Sequence, residues 1–429
     1  MFNVLAELML MVVIFSLLLC THISMNPAVT GHYDLSRLLA ANKVDVMMSP
    51  ITYRWRRPGD ISGTGSVEST FRKHGVVWLQ EADNRTYLTP NDSHAVTHNA
   101  AASLDENWRE FLYAMLKREA VWFYELAGGW YDNRYIHEDF RRMLELYREA
   151  IRVNPTYQTK LAFFFDEKNS DGLTLNDGRW GSQRPFNLAA DAQEMLAKCG
   201  VPYDMFELED LYDLDLSRYQ VLYFQNAWRK NPRLAKFLRE KVYPAGKTVV
   251  WLYAPGYGQQ GGLAGMKDLT GIDFELMPMG TALRMRTKDG RLVGGKGMDQ
   301  AEVFAAKVPR GAVLATYPGT AKAAAARVQI GQGASVWLAT FDPTGRLFRQ
   351  ILRDAGVKPL IDRDDRVVYD GRDLGVFVLD GPGRRTVTLP DGKVPESIID
   401  LRSGKPVPFQ GGAFRFDAAP GDIRLVRIQ

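Results

Sequence analysis

Short apolar runs alternate with amphipathic helical stretches along most of this chain, and that alternation restricts the fold more than any other feature. Residues 44–50 (VDVMMSP), 76–81 (VVWLQE) and 120–129 (AVWFYELAGG) are apolar through their middles, as strands buried on both faces are. Residues 106–120 (ENWREFLYAMLKREA) and 137–151 (HEDFRRMLELYREAI) repeat apolar positions at helical spacing, and Asn154-Pro155 closes the second of them. Buried strands separated by helices call for parallel pairing with helical crossovers, hence an α/β fold.

The pattern returns further along. Strand-like runs at 160–167 (KLAFFFDE), 219–226 (YQVLYFQN) and 247–258 (KTVVWLYAPGYG) alternate with helical ones at 188–200 and 231–246, and Gly200 is placed to cap the first helix. This stretch reads as an open, doubly wound, flavodoxin-like sheet. From about residue 361 the helical spacing stops. Short runs such as RVVYDG, LGVFVLDG, RRTVTLPDG, SIIDLRSG and IRLVRIQ, separated by glycine turns, predict a small antiparallel β domain. At 429 residues the chain exceeds what one core supports, roughly 250–300 residues. The expected division is 1–157, 158–360 and 361–429.

Composition removes several function classes. The net charge is +4 with no long basic run, which argues against a nucleic-acid partner. The two cysteines, Cys20 and Cys199, form no CxxC pair, so a disulfide framework, a zinc site and a thioredoxin-like motif have no support. All six histidines lie at or before His137 without HExxH spacing, and no metal or other cofactor is expected. The loop GYGQQGG (256–262) fits neither GxGxxG nor GxxxxGK[ST] and reads as a surface loop or an oligomer contact.

In parallel βα units, function collects where strands end. The first region ends its strands in Ser49-Pro50-Ile51-Thr52-Tyr53, in Glu81-Ala82-Asp83-Asn84-Arg85, and in Glu125 with Gly128-Gly129-Trp130-Tyr131. If consecutive strands are neighbours, one mouth gathers Glu81, Asp83, Glu125, Asn84 and Arg85. Tyr53, Trp55, Trp78, Trp122, Trp130 and Tyr131 are then available as ring surfaces. Carboxylates beside aromatic platforms, without metal ligands, point to glycoside hydrolysis. Glu81 is the candidate nucleophile, rigid at a strand end, with Arg85 expected to hold its carboxyl ionised. An ordinary Glu–Arg pair capping the strand is the plainer alternative. Asn84-Arg85-Thr86 and Asn91-Asp92-Ser93 also fit the N-glycosylation sequon.

The ordered segments GHYDLSRLL (31–39), VDVMMSPITYRWR (44–56), ESTFRKHGVVWLQEADNRTYL (68–88) and AVWFYELAGGWYD (120–132) resemble the last part of a (β/α)8 barrel. The resemblance is to the clan of retaining glycosidases that includes the family 42 β-galactosidases. It implies a partial (β/α)8 TIM-type barrel followed by a flavodoxin-like domain, similar to class I glutamine amidotransferases, and a small antiparallel β domain. It also implies a β-linked glycoside as substrate, with Glu81 as the strand-7 nucleophile and Tyr53, Trp78, Asn84, Arg85, Glu125 and Trp130 as substrate-binding residues. The middle region is similar to that family's trimerisation domain, which implies a homo-oligomer, a trimer by analogy. Cys199 sits at a helix end rather than at a nucleophile elbow, so amidotransferase chemistry is not implied.

One part of the pattern is missing. The clan's acid/base is a Glu, usually after Asn, at the end of strand 4, yet no Asn-Glu dipeptide precedes Glu81. A whole barrel takes roughly 250 residues, more than the 157 before the second region. The expectation is a chain lacking strands 1–4 and the general acid. The alternative function is a non-catalytic carbohydrate-binding or oligomer-scaffold protein derived from such an enzyme. Residues 8–20 (LMLMVVIFSLLLC) have the length of a signal-peptide core, which favours export to the periplasm or beyond. The absence of Lys or Arg before them, and Glu7, suit a barrel strand instead.

Overall fold

The computed structural model describes residues 34–62, 66–90, 96–97, 99–126, 128–170, 184–294 and 302–429. The apolar run at 8–20 with Cys20, and the sequon at 91–93, lie outside them.

The first region runs α1 (Leu35–Ala40), β1 (Val46–Pro50), α2 (Glu68–Lys73), β2 (Val77–Ala82), α3 (Ala100–Lys117), β3 (Ala120–Phe123) and α4 (Arg134–Ala150). Its strands pair in parallel in the order β1-β2-β3, with Pro50 beside Glu81 and Glu81 beside Trp122. Asn99 and Asn133 start the two long helices, each side-chain oxygen accepting a backbone N–H of the first turn. β3 is shorter than the apolar run 120–129. Glu125 accepts the Trp130 N–H at 2.8 Å, and Gly128 and Gly129 take φ of 78° and 81°, so the chain turns where the run still reads as strand.

The second region contains β4 (Leu161–Phe165), α5 (Arg184–Asp191), α6 (Gln193–Ala197), β5 (Asp204–Glu207), β6 (Val221–Phe224), α7 (Pro232–Phe237), β7 (Thr248–Leu252) and α8 (Gly262–Thr270). There follow β8 (Asp273–Leu276), β9 (Met285–Thr287), β10 (Leu292–Val293), β11 (Phe304–Lys307), β12 (Val313–Thr316), β13 (Ala323–Ile330), β14 (Gly333–Leu338) and α9 (Arg346–Asp354). The parallel strands lie in the order β5-β4-β6-β7-β14, the flavodoxin-like 2-1-3-4-5 arrangement. Between β7 and β14 the chain adds antiparallel strands that extend the same sheet, an addition the sequence pattern did not announce. The expected helix at 188–200 is broken at Ala192, and Gly200 ends it at φ 70°. Two glycines of 256–262 are steric: a Cβ at Gly256 or Gly261, as at the nearby Gly265, would collide with backbone.

The last region is antiparallel throughout. β15 (Arg366–Tyr369), β16 (Asp373–Phe377), β17 (Gly383–Thr388), β18 (Ile398–Asp400), β19 (Phe409–Gln410), β20 (Ala413–Ala418) and β21 (Ile423–Ile428) form two sheets, β15-β16-β21-β18 and β17-β20-β19. One hydrophobic core joins the first two regions: Leu35, Leu39, Met47, Phe71 and Trp78 pack together with Leu161–Phe165 and the strands beside them. The helix-covered face of β1 and β2 is therefore backed by the second sheet, β3 packs against α3, α4 and the C-terminal strands, and the other face is left for the site.

Candidate active site

Strand period fixes what β2 presents. Trp78, Gln80 and Ala82 are buried on the helix side, whereas Val77, Leu79 and Glu81 face the other way and Val77 is 47% exposed. Trp78 stacks on Phe71 at 4.6 Å, and the Gln80 amide donates to the Glu119 carboxylate. Glu81 thus stands at the carboxyl end of the central strand, on the open face, beside Pro50 and Trp122 in register. Trp122 is half-buried and meets Tyr124 edge-on at 4.9 Å.

The polar heart of the mouth is Asp83, not Glu81. The Asp83 carboxylate receives Arg56 (2.5 Å), Arg85 and the Tyr53 hydroxyl (3.0 Å). Arg56 also donates to the carbonyls of Thr52, Ile51 and Asp83, and its guanidinium lies 3.7 Å from the centre of the Tyr53 ring. Burial, and then Asp83, push the Tyr53 hydroxyl up to about 12, so it stays protonated and donates. No described donor reaches the Glu81 carboxyl. Burial lifts its pKa above the ordinary value, Asp83 adds to this, and Arg56 opposes it.

Several expectations change on this geometry. Arg85 does not hold Glu81 ionised; it pairs with Asp83 and lies over the Trp130 ring at 4.7 Å. Trp78 is not a ring surface of the mouth, because an odd spacing from Glu81 puts it on the opposite face of β2. Asn84, Arg85 and Trp130 are buried (2%, 5% and 3% exposed), so they stand beneath the mouth and support it. Tyr131 is buried as well, its hydroxyl turned into the carbonyls of Ala82, Asn84 and Tyr124. Trp55 reaches sideways, its indole N–H donating to Glu194 on α6 at 3.3 Å. Tyr53, 43% exposed, and the half-buried Glu125 keep surface at the mouth.

Two groups escaped the sequence reading. Arg56 had a signal, as the second arginine of RWRR directly after a strand end. Arg109 had none: it lies mid-helix in α3 and donates to the carbonyls of Arg56 and Arg57 at 3.0 and 2.9 Å. Beside it, burial pushes the Glu106 carboxyl up to about 8. Among the described residues no group of three His, Cys, Asp or Glu is placed to hold a metal ion, and no helix is long and apolar enough to cross a membrane.

Consecutive parallel strands backed by helices and joined to a doubly wound sheet define a partial α/β barrel with a flavodoxin-like second sheet. Solved structures give the particular form. The β-galactosidase from Bacillus circulans sp. alkalophilus superposes with a TM-score of 0.57 at 15% identity, covering 89% of this chain and 63% of that one. The β-galactosidase from Rahnella sp. R3 gives 0.58 at 15%, with 92% and 62% covered. A catalytic mutant of Gan42B, a family 42 β-galactosidase from G. stearothermophilus, gives 0.54 at 15%, with 89% and 63% covered. The fold is family 42-like, and the chain spans less than two thirds of the length of these proteins. No family model and no curated protein matches the sequence.

Proposed function

We propose that this chain is a carbohydrate-active protein of the retaining β-glycosidase type, with a β-galactoside as the substrate class and Glu81 as nucleophile. The observation that carries the reading is the position of Glu81: at the end of the central parallel strand, on the open face, with Trp122 beside it and no cation among the described residues pairing it. A carboxylate held by a strand but not consumed by an ion pair keeps its lone pairs for the anomeric carbon. Tyr53 and Glu125 are the residues of the mouth that would meet the sugar. The units 1–157, 158–360 and 361–429 and a homotrimeric assembly belong to the same proposal, and light scattering reports the mass directly.

An activated aryl β-galactoside, whose leaving group needs little protonation, is the appropriate probe. Glu81→Gln is expected to lower its hydrolysis by about 10³-fold or more; equal rates in the two proteins would remove the nucleophile assignment. A second reading, carbohydrate binding without turnover, is favoured by one observation. Asp83 is held by two guanidinium groups and Glu125 accepts the Trp130 N–H, so both neighbouring carboxyls are engaged in holding the mouth together. Calorimetric binding of methyl β-galactoside that persists in Glu81→Gln and is lost in Trp122→Ala, with no hydrolysis by either protein, would select it.

A further inference from the structure

We propose that the antiparallel C-terminal region is a working part of this mouth, with Arg366 as a positioning residue for the segment 51–62 that carries Tyr53 and Arg56. The proposal rests on the carbohydrate reading above. Its starting point is a segment with no regular structure of its own, whose first half reaches Asp83 and whose second half needs another support.

Arg366, at the start of β15, provides that support. It is 4% exposed, and one of its terminal nitrogens donates to the carbonyls of Ile61 (3.1 Å) and Ser62 (3.2 Å). The other donates to the Tyr203 hydroxyl (3.2 Å) in the second region, and the guanidinium lies 4.2 Å from the Tyr113 ring centre on α3. One side chain therefore touches all three regions, with Glu68 and Glu110 among the negative groups near it. Glu110 in turn accepts the Ser62 hydroxyl and pairs with Arg109, which grips the carbonyls of Arg56 and Arg57. From Ile51 to Ser62 the backbone is thus held by a relay of buried arginines: Arg56 on Asp83, Arg109 on Arg56, and Arg366 at the far end.

A second contact from the same region is independent of any charge. Pro58-Gly59 lies against Pro420-Gly421, the turn between β20 and β21. A Cβ on Gly59 would stand 3.2 Å from the Pro420 Cβ, and one on Gly421 would stand 3.0 Å from the Pro58 Cβ. Both glycines have positive φ, 83° and 96°, so the two turns meet at a distance that side chains there would spoil. The C-terminal region touches the segment twice, and the segment carries the Tyr53 hydroxyl to Asp83, two residues beyond Glu81.

The test uses the full chain and three variants: Arg366→Lys, Arg366→Met and Gly421→Ala. Amide exchange in peptides spanning 51–62 is expected to rise at least about tenfold, while peptides from β4 to β7 keep wild-type rates. The Kd for methyl β-galactoside is expected to rise about tenfold in Arg366→Met, with Arg366→Lys between it and wild type. An ammonium can still serve the carbonyls but cannot reproduce the fork. General destabilisation would instead speed exchange in all three regions alike. If the Arg366 variants do not fold, Gly421→Ala decides, since it disturbs the same segment without burying an unpaired charge. Unchanged exchange across 51–62, or faster exchange with unaltered galactoside affinity, overturns the proposal. Should the wild type bind no galactoside, the carbohydrate reading fails, and exchange alone then judges whether the C-terminal region holds the segment.

Discussion

At the scale of single residues, Asp83 carries more of the structure than Glu81 does. It is 1% exposed and compensates two buried guanidinium groups, so Asp83→Asn leaves Arg56 and Arg85 buried with too little negative charge. The expected loss is about 3–5 kcal/mol by urea denaturation. Tyr53→Phe, which removes one partly exposed hydrogen bond, is expected to cost only about 1 kcal/mol. Comparable losses in the two variants would show that Asp83 is no hub. Glu81 makes a separate prediction through its raised pKa. As the proposed nucleophile it must be ionised, so any hydrolysis is expected to fall as pH drops through that pKa, and the acid limb of kcat/KM is expected above the ordinary 4.5. A limb below 4.5 would contradict the burial that raises it. The position of Glu81 was legible in the sequence because a buried strand followed by polar residues marks a strand end. Its electrostatics were not, since nothing in the spacing says that Arg85 turns toward Asp83. The side of β2 that Trp78 takes was legible and is decided by parity alone: positions 78 and 81 differ by three, an odd number.

Among the elements, those with clean periodicity were read correctly in kind and roughly in place, and the failures share a physical cause. β1, β2, β4, β6 and β7 are short, apolar and bounded by turn residues, so composition alone identifies them, whereas β5 (DMFE), with a carboxylate at each end, gave no such signal. β3 was overextended because the stop comes from a tertiary bond, Glu125 to the Trp130 N–H, and from two glycines that apolar neighbours mask. The antiparallel extension at 273–330 was missed because strands such as β13, AAAARVQI, present small residues where bulky β-branched ones are the usual signal. The packing of β2 on α2 gives a prediction at this scale. Trp78 is 3% exposed and stacked on Phe71 within the core shared with the second sheet, so Trp78→Ala is expected to cost about 3–5 kcal/mol. On the proposed function, galactoside affinity of the folded fraction should stay at the wild-type value, because the ring faces away from the mouth. A selective loss of affinity with little loss of stability would return Trp78 to the site.

For the whole molecule, the regions are joined by buried polar groups as much as by the apolar core, and this makes stability depend on pH in an unusual direction. Burial pushes Glu106 and Glu119 up to about 8 and Glu167 up to about 7, from an ordinary 4.5. Glu119 lies beneath β2 with Glu68, Lys117 and Arg72 around it, and Glu167 accepts the Leu35 N–H at 2.8 Å, tying α1 to the second region. Each of these groups binds its proton more tightly in the folded chain than in the unfolded one. Between about pH 4.5 and 8 the unfolded state therefore holds fewer protons, and stability falls as pH rises across that window. Each fully titrating group contributes about 1.4 kcal/mol per pH unit. Asp204 and Asp400, whose pKa values are lowered, act oppositely and only at the acid end, where stability is lost as pH drops below their ordinary 3.8. Thermal melts at constant ionic strength should consequently give the highest Tm near pH 5 and a steady decline toward pH 8. Glu119→Gln keeps the shape of the side chain and removes one titrating proton, so it should flatten the decline and exceed wild-type Tm at pH 8 while matching it near pH 5. A wild-type Tm that is level or rising from pH 5 to 8, or a Glu119→Gln slope equal to that of wild type, would mean that these carboxyls are ionised in the fold at little cost.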